Sequence, residues 1–241
     1  MTEKLSIASR EQTIEDNLRF IRARIREAAE KSGRRETDIR LMAVTKTVEP
    51  VFINHAISCG IDLIGENKVQ EFLGKQPFLQ LDGVEAHLIG HLQTNKVRQI
   101  VPRVSMIQSV DSLKLALEIE KQCAKIDKIM DCLVEVNIAG EDSKTGLAQE
   151  ALPALLEEMA KMPHIHVRGL MTIPPICEEK EKLCAYFQKM HAMFVDIGHQ
   201  NIDNIDMQIL SMGMSSDYAE AIACGATMVR VGSSIFGPRL Y

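Results

Sequence analysis

Eight short apolar runs, separated by segments of helix length, set the strongest limit on what this chain can fold into. The runs fall near 39–45, 61–64, 86–90, 105–110, 129–137, 166–173, 206–211 and 227–232. The segments between them are 49–59, 66–75, 94–101, 112–126, 148–161, 178–197 and 215–224. Strand and helix in alternation imply a parallel sheet, because a parallel crossover needs a long connection to return to the same edge. Eight such units in 241 residues fit a closed (β/α)8 TIM barrel, with an open doubly wound sheet as the rival. Gly60 and Gly225 stand where helices should end. One more helix precedes the first run. Ser9 and Gln12 have capping-box spacing, Ile14, Leu18, Ile21 and Ile25 recur at helical intervals, and Gly33 stops the pattern. After the eighth run only SSIFGPRLY remains, too short for a full eighth helix. The N-terminal helix is therefore expected to complete the outer ring. No linker, low-complexity run or repeat interrupts the chain, which reads as a single domain over 1–241.

Composition says what must fill such a barrel. Aromatics are only 4% and tryptophan is absent, so Leu, Ile, Val, Met and Ala have to build the core. Most of the 13 methionines are expected there as adaptable filler. A net charge of −5 argues against nucleic acid or anionic membrane as the main partner. No apolar run approaches the ~20 residues of a membrane span, and MTEKLSIASREQ lacks the apolar core of a signal peptide. The six cysteines form no C-x-x-C, which suits reduced thiols in a cytoplasmic protein. The expectation is a cytoplasmic monomer that binds neither nucleic acid nor membrane.

In barrels of this class chemistry sits at the C-terminal ends of the strands, with phosphate bound after strands 7 and 8. Those ends read LSMGMSSD (210–217) and RVGSSIFG (230–237). Gly213 and Gly232 permit close backbone approach, and Ser211, Ser215, Ser216, Ser233 and Ser234 offer hydroxyls and N–H groups. Ser215 or Ser216 could also cap the next helix. Closure makes strand 1 the neighbour of strand 8, so Lys46, in AVTKT, stands beside this cup. A lysine there either binds phosphate as a cation or bonds to a carbonyl once its pKa is lowered. Arg230 shares a strand face with Gly232 and is expected inside the barrel, either in a salt bridge or aimed at a ligand acceptor. A carbonyl-binding lysine, a phosphate cup and an inward arginine together describe pyridoxal 5′-phosphate. A lysine aldolase acting on phosphorylated sugars keeps the same barrel without that cofactor. His87 and His91 have i, i+4 spacing but fall on a strand and its exit, so no metal site is expected.

The motifs AVTKT (43–47), GEN-x-VQE (65–71), HLIGHLQTNK (87–96), SVDS (109–112), EVNIAGEDSKTGL (135–147), RGLMTI (168–173), LSMGMSSDYAEAI (210–222) and VRVGSSIFG (229–237) resemble the pyridoxal phosphate homeostasis protein family. That family's fold is similar to the N-terminal barrel domain of bacterial alanine racemases. The resemblance implies that Lys46 holds the cofactor covalently as an internal aldimine. It also implies phosphate contacts from Ser211, Gly232 and Ser233, a ring-nitrogen contact from Arg230, and Asn67 near the ring. Two departures are Ala86, where the family often has an aromatic residue, and Lys68, where it commonly has Tyr or Arg. Neither touches the implied cofactor contacts.

Arginine at the ring nitrogen should leave that nitrogen unprotonated and weaken the ring as an electron sink. The racemases in question take a second acid/base, a tyrosine, from a separate C-terminal β domain. None is expected in a chain that ends at Tyr241; Tyr186 is expected on an outer helix, and Tyr218 on the helix after strand 7, within approach of the mouth but not in a catalytic role. The expected function is a non-catalytic carrier that keeps pyridoxal phosphate in balance and contacts apo-enzymes transiently. An amino-acid racemase is the alternative. Lys144, in the loop after strand 5, is a candidate second site for the aldehyde.

Overall fold

The structure, a computed structural model, describes residues 6–141, 145–177 and 179–238. Its strands are β1 (Arg40–Val44), β2 (Leu63–Glu66), β3 (Glu85–Leu88), β4 (Met106–Val110), β5 (Met130–Glu135), β6 (Ile165–Met171), β7 (Ile205–Ser211) and β8 (Met228–Val231). They form one closed barrel in sequence order. All pairings are parallel, and β1 closes on β8 through Met42 opposite Arg230 and Ala43 opposite Val231. The open-sheet alternative is thereby excluded.

The helices are α1 (Ile7–Lys31), α2 (Pro50–Ser58), α3 (Val69–Lys75), α4 (Val97–Ile100), α5 (Leu113–Ala124), α6 (Leu152–Met159), α7 (Lys180–Gly198), α8 (Tyr218–Ala223) and α9 (Ser233–Phe236). The four-residue α9 cannot cover β8, and α1 packs against α8, α9 and α2 in its place. Asn17 fastens it there by donating to the carbonyl of Ile235 at 3.0 Å. Helix α1 begins one turn earlier than the Ser9 spacing suggests, because Ser6 is the cap and its hydroxyl accepts the Ser9 N–H at 3.2 Å. Its end matches expectation, with Gly33 at φ +73° just beyond.

Strand alternation divides the core in two. Ala43, Ile64, Ile107, Val134, Leu170 and Val229 join one large cluster with the helices, between sheet and outer ring. Their strand neighbours form two small clusters: Met42, Val44, Leu63, Ile89 and Met228, and Met106, Leu133 and Met171. Ile209 packs against both. These residues fill the barrel itself. Four of the eight buried ones are methionines, as a core short of aromatics requires. Strand β6 carries a bulge, where its register shifts against both neighbours near Gly169.

Candidate functional site

Alternation puts Lys46 on the same face as Met42 and Val44, so it rises from the barrel interior just past the end of β1. Its neighbour Thr47 has φ +63°, a conformation that a β-branched residue adopts at a cost of about 1–3 kcal/mol. The surroundings over-determine this turn. The Thr47 N–H donates to Glu71, and Lys75 Nζ donates to Glu71, to Glu66 Oε1 at 2.8 Å and to the Thr45 carbonyl at 2.8 Å. Thr45 Oγ1 also donates to Glu66 Oε1, at 2.8 Å. Glu66 is buried, and burial raises its pKa against the pull of Lys75. Burial also pushes Glu71 upward, but the Lys75 and Thr47 hydrogen bonds outweigh it and the net shift is downward. Sequence reading passed over Glu66, Glu71 and Lys75. The legible signal was the i, i+4 spacing of Glu71 and Lys75 within and just after the G-E-N motif.

The cup lies across the β1–β8 seam. Lys46, Thr47, Val44, Gly232 and Ser233 line one small cavity. Gly232 is tucked so closely under β1 that a Cβ there would meet the Val44 carbonyl oxygen at 3.2 Å. Ser215 reaches over from the β7 exit, and its Oγ accepts from the N–H groups of Gly232 (3.2 Å) and Ser234 (3.3 Å). Two backbone donors thus converge on one oxygen, the arrangement a phosphate oxygen needs. Ser215 does not cap α8, as sequence spacing allowed. Asp217 holds that position and accepts the Met214 N–H instead.

Arg230 lies on β8 two residues before Gly232, on the same strand face, and is 3% exposed. Its Nη1 donates to Ser211 Oγ at 2.7 Å and its Nη2 to the Thr172 carbonyl at 2.8 Å. Ser211 in turn donates to Gln108 Oε1 at 2.8 Å, and Gln108 Nε2 lies 2.9 Å from His87 Nδ1. His87 Nε2 lies 3.1 Å from Glu85 at the lower rim. Donors therefore point one way down the barrel, from the guanidinium to a carboxylate. The Ser211 hydroxyl is engaged between the guanidinium and Gln108 and does not line the Lys46 cavity. Ser215, rather than Ser211, accepts the Gly232 N–H. Burial lowers the Arg230 pKa to about 10, with Glu135 and Asp217 opposing, so the group stays charged and donating at neutral pH.

Asn67 follows β2. Its Oδ1 is buried and has no hydrogen-bond partner, and it is not among the residues lining the Lys46 cavity. A Cβ on Gly90 would lie 2.3 Å from the Asn67 carbonyl, which explains the glycine of H-L-I-G. His91 Nδ1 lies 3.2 Å from Asp111 Oδ2. Tyr218 is buried in the outer cluster, and Tyr186 packs on that cluster from α7. Lys144 and Tyr241 lie outside the described residues. A cavity of about 520 Å³ lies at the opposite end of the barrel. It holds no lysine, and two of its arginines are already engaged, Arg22 with the Gly60 carbonyl and Arg40 with Glu85.

The interior chain makes the fold acid-sensitive. Burial holds the His87 pKa below its ordinary value of 6.5 in spite of Glu85, while the His87 hydrogen bond is the main cause that lowers Glu85 to about 2. Below pH 6.5 the unfolded chain takes up a proton that folded His87 refuses, so stability falls with pH. Glu85 adds a second loss between 4.5 and about 2. Denaturant unfolding across this range should show both limbs. His87→Gln should flatten the upper one and shrink the lower, and an unchanged acid profile would contradict the assignment.

Comparison with known proteins places this geometry. The profile of the alanine racemase N-terminal domain family matches residues 16–239. The pyridoxal phosphate homeostasis protein of Aquifex aeolicus (strain VF5) is 42% identical over 226 residues, which cover 94% of this chain and 98% of that protein. PipY of Synechococcus elongatus PCC7942, in a structure with PLP bound, superposes with a TM-score of 0.83 at 30% identity, covering 93% of this chain and 100% of that one. Alanine racemase from Corynebacterium glutamicum gives a TM-score of 0.72 at 14% identity, over 95% of this chain and 62% of that one, a likeness of fold alone.

Proposed function

Because the chain belongs to the pyridoxal phosphate homeostasis protein family, we propose that it holds pyridoxal 5′-phosphate covalently through Lys46 and serves as a carrier without turnover of its own. The observation that carries the reading is the convergence of Lys46, Gly232 and Ser233 on one cavity, with the buried Arg230 on β8 two residues before Gly232. The residues fit the group. The Gly232 and Ser234 N–H groups, now on Ser215, supply donors for a phosphate, and a Cβ on Gly232 would meet the Val44 carbonyl oxygen at 3.2 Å, tighter than an ordinary contact. Arg230 has hydrogens beyond the two bonds to Ser211 and Thr172 with which to meet a ring nitrogen. The orphaned Oδ1 of Asn67 is an acceptor in want of a donor.

When bound, the cofactor supplies an aldehyde and a conjugated ring able to draw electrons. The residues here favour holding it over using it. Lys46 provides the amine, and the Glu66–Lys75–Glu71 network keeps its strained turn in place. A cationic Arg230 would donate to the ring nitrogen and give it no proton, which would limit electron withdrawal. Neither described tyrosine stands at the cup, so neither is placed to serve as a second acid/base there. The same reading makes the chain one domain and a monomer that meets apo-enzymes transiently. Six free cysteines suit the reducing cytoplasm for that role.

The test is retention of the cofactor. Protein incubated with pyridoxal phosphate and reduced with borohydride should carry the adduct mass on the Lys46 peptide. Lys46→Ala should lose both the adduct and the visible absorption of the bound cofactor. Ser215→Ala, with the lysine intact, should weaken cofactor binding about 10- to 100-fold through loss of a charge-assisted contact. An adduct that persists in Lys46→Ala would overturn the covalent assignment. Alanine racemisation at ~1–10³ s⁻¹ would overturn the carrier reading.

A further inference from the structure

On the outer ring, away from the barrel mouth, α1 and α2 bring together donors that the cofactor site does not use. Glu11 and Glu15 lie one turn apart on α1, and His55 and Cys59 lie one turn apart on α2 and its C-cap. His55 Nε2 is 3.3 Å from Glu15 Oε1 and 3.7 Å from Cys59 Sγ. One donor atom from each of the three residues lies within 4.8 Å of the others, and all three are half-buried. We propose that Glu15, His55 and Cys59 bind a zinc ion that fastens α1 to α2.

The distances carry the argument. Zinc takes nitrogen and oxygen at about 2.0–2.1 Å and thiolate at about 2.3 Å, and tetrahedral angles then place N and O about 3.3 Å apart and N and S about 3.6 Å apart. The observed separations are 3.3 and 3.7 Å. The same ring nitrogen, Nε2, faces both partners, as one ligand atom of a shared ion must. The flanking groups orient the ligands. Arg19 Nη2 lies 3.2 Å from Glu15 Oε2, which turns Oε1 toward the histidine. His55 Nδ1 faces Glu11 Oε1 at 3.9 Å, so the far ring N–H has a carboxylate beside it and Nε2 is the nitrogen left to ligate. A mixed S, N, O donor set selects zinc over magnesium or calcium, which prefer oxygen alone. Binding releases the Cys59 proton to solvent and leaves the fourth position to water. The sequence expectation of no metal considered only His87 and His91. The ligands here are split across forty residues, and only the His55–Cys59 spacing was visible.

The test uses the purified full-length chain, stripped with chelator and titrated with zinc alone. Calorimetry should give one equivalent per chain. Zinc-edge X-ray absorption should show one sulfur at about 2.3 Å with nitrogen and oxygen. Zinc at a hundredfold excess over its Kd should raise the melting temperature by roughly 5–10 °C. Cys59→Ser should lose the sulfur signal and the thermal shift, and Glu15→Gln and His55→Gln should each weaken binding at least about tenfold. Cys224→Ser should behave as the unaltered protein. Failure of the unaltered protein to bind an equivalent, or a sulfur ligand that survives Cys59→Ser, would overturn the site.

Discussion

Arg230→Met is expected to destabilise the fold by about 3–5 kcal/mol, because two buried acceptors are left without their donor at about 1–3 kcal/mol each. The methionine fits the volume but leaves the rest of the network in place. Ser211 and the Thr172 carbonyl lose the donors that reach them at 2.7 and 2.8 Å. Glu135 and Asp217, already pushed upward by burial, lose the one nearby cation that lowers both. At the stability slope of a chain this long the melting temperature should drop roughly 10 °C. Calorimetry or urea unfolding measures this directly. A loss under about 1 kcal/mol would show that the interior chain from Arg230 to Glu85 contributes little to the barrel.

Gly169→Ala should be of similar size, about 3–5 kcal/mol. Gly169 has φ +147° and lies at the bulge where β6 slips register against β5 and β7. A Cβ there would fall 1.9 Å from the Ile209 carbonyl oxygen, which is backbone and cannot turn aside. Conformational strain of about 1–3 kcal/mol adds to an overpacking cost of about 1–3 kcal/mol. The bulge also aims the end of β6. It brings the Thr172 carbonyl under Arg230, so the variant should disturb the site as well as the fold. A melting temperature within about 2 °C of the unaltered protein would mean that the strand relaxes without cost.

Much of this was open to reading along the chain. All eight strands fall within the expected runs or a residue or two of them, because a strand buried on both faces is a continuous apolar run. Closure followed from counting the eight strand-helix units, and β1 pairs with β8 accordingly. Two glycine-serine turns sit on adjacent strands, and closure brings the end of β1, with Lys46, beside β8. What the chain alone leaves open are choices between equivalent side chains. Ser211 and Ser215 are both serines of one motif, and nothing in LSMGMSSD says which faces inward to Arg230 and which reaches Gly232.

Such choices depend on direction, and direction is a property of the packed barrel. Hydrophobic period, turn chemistry and unit count act between residues close in the chain, so they suffice for the element order, the barrel and the family's motifs. The pairing of Glu66, Glu71 and Lys75 beneath the Lys46 turn, the donor chain from Arg230 to Glu85, and the meeting of Glu15 with His55 and Cys59 join residues on different elements. Their energies arise only when packing removes water and brings the groups within hydrogen-bond or ligand distance, and so only the folded chain could assign them.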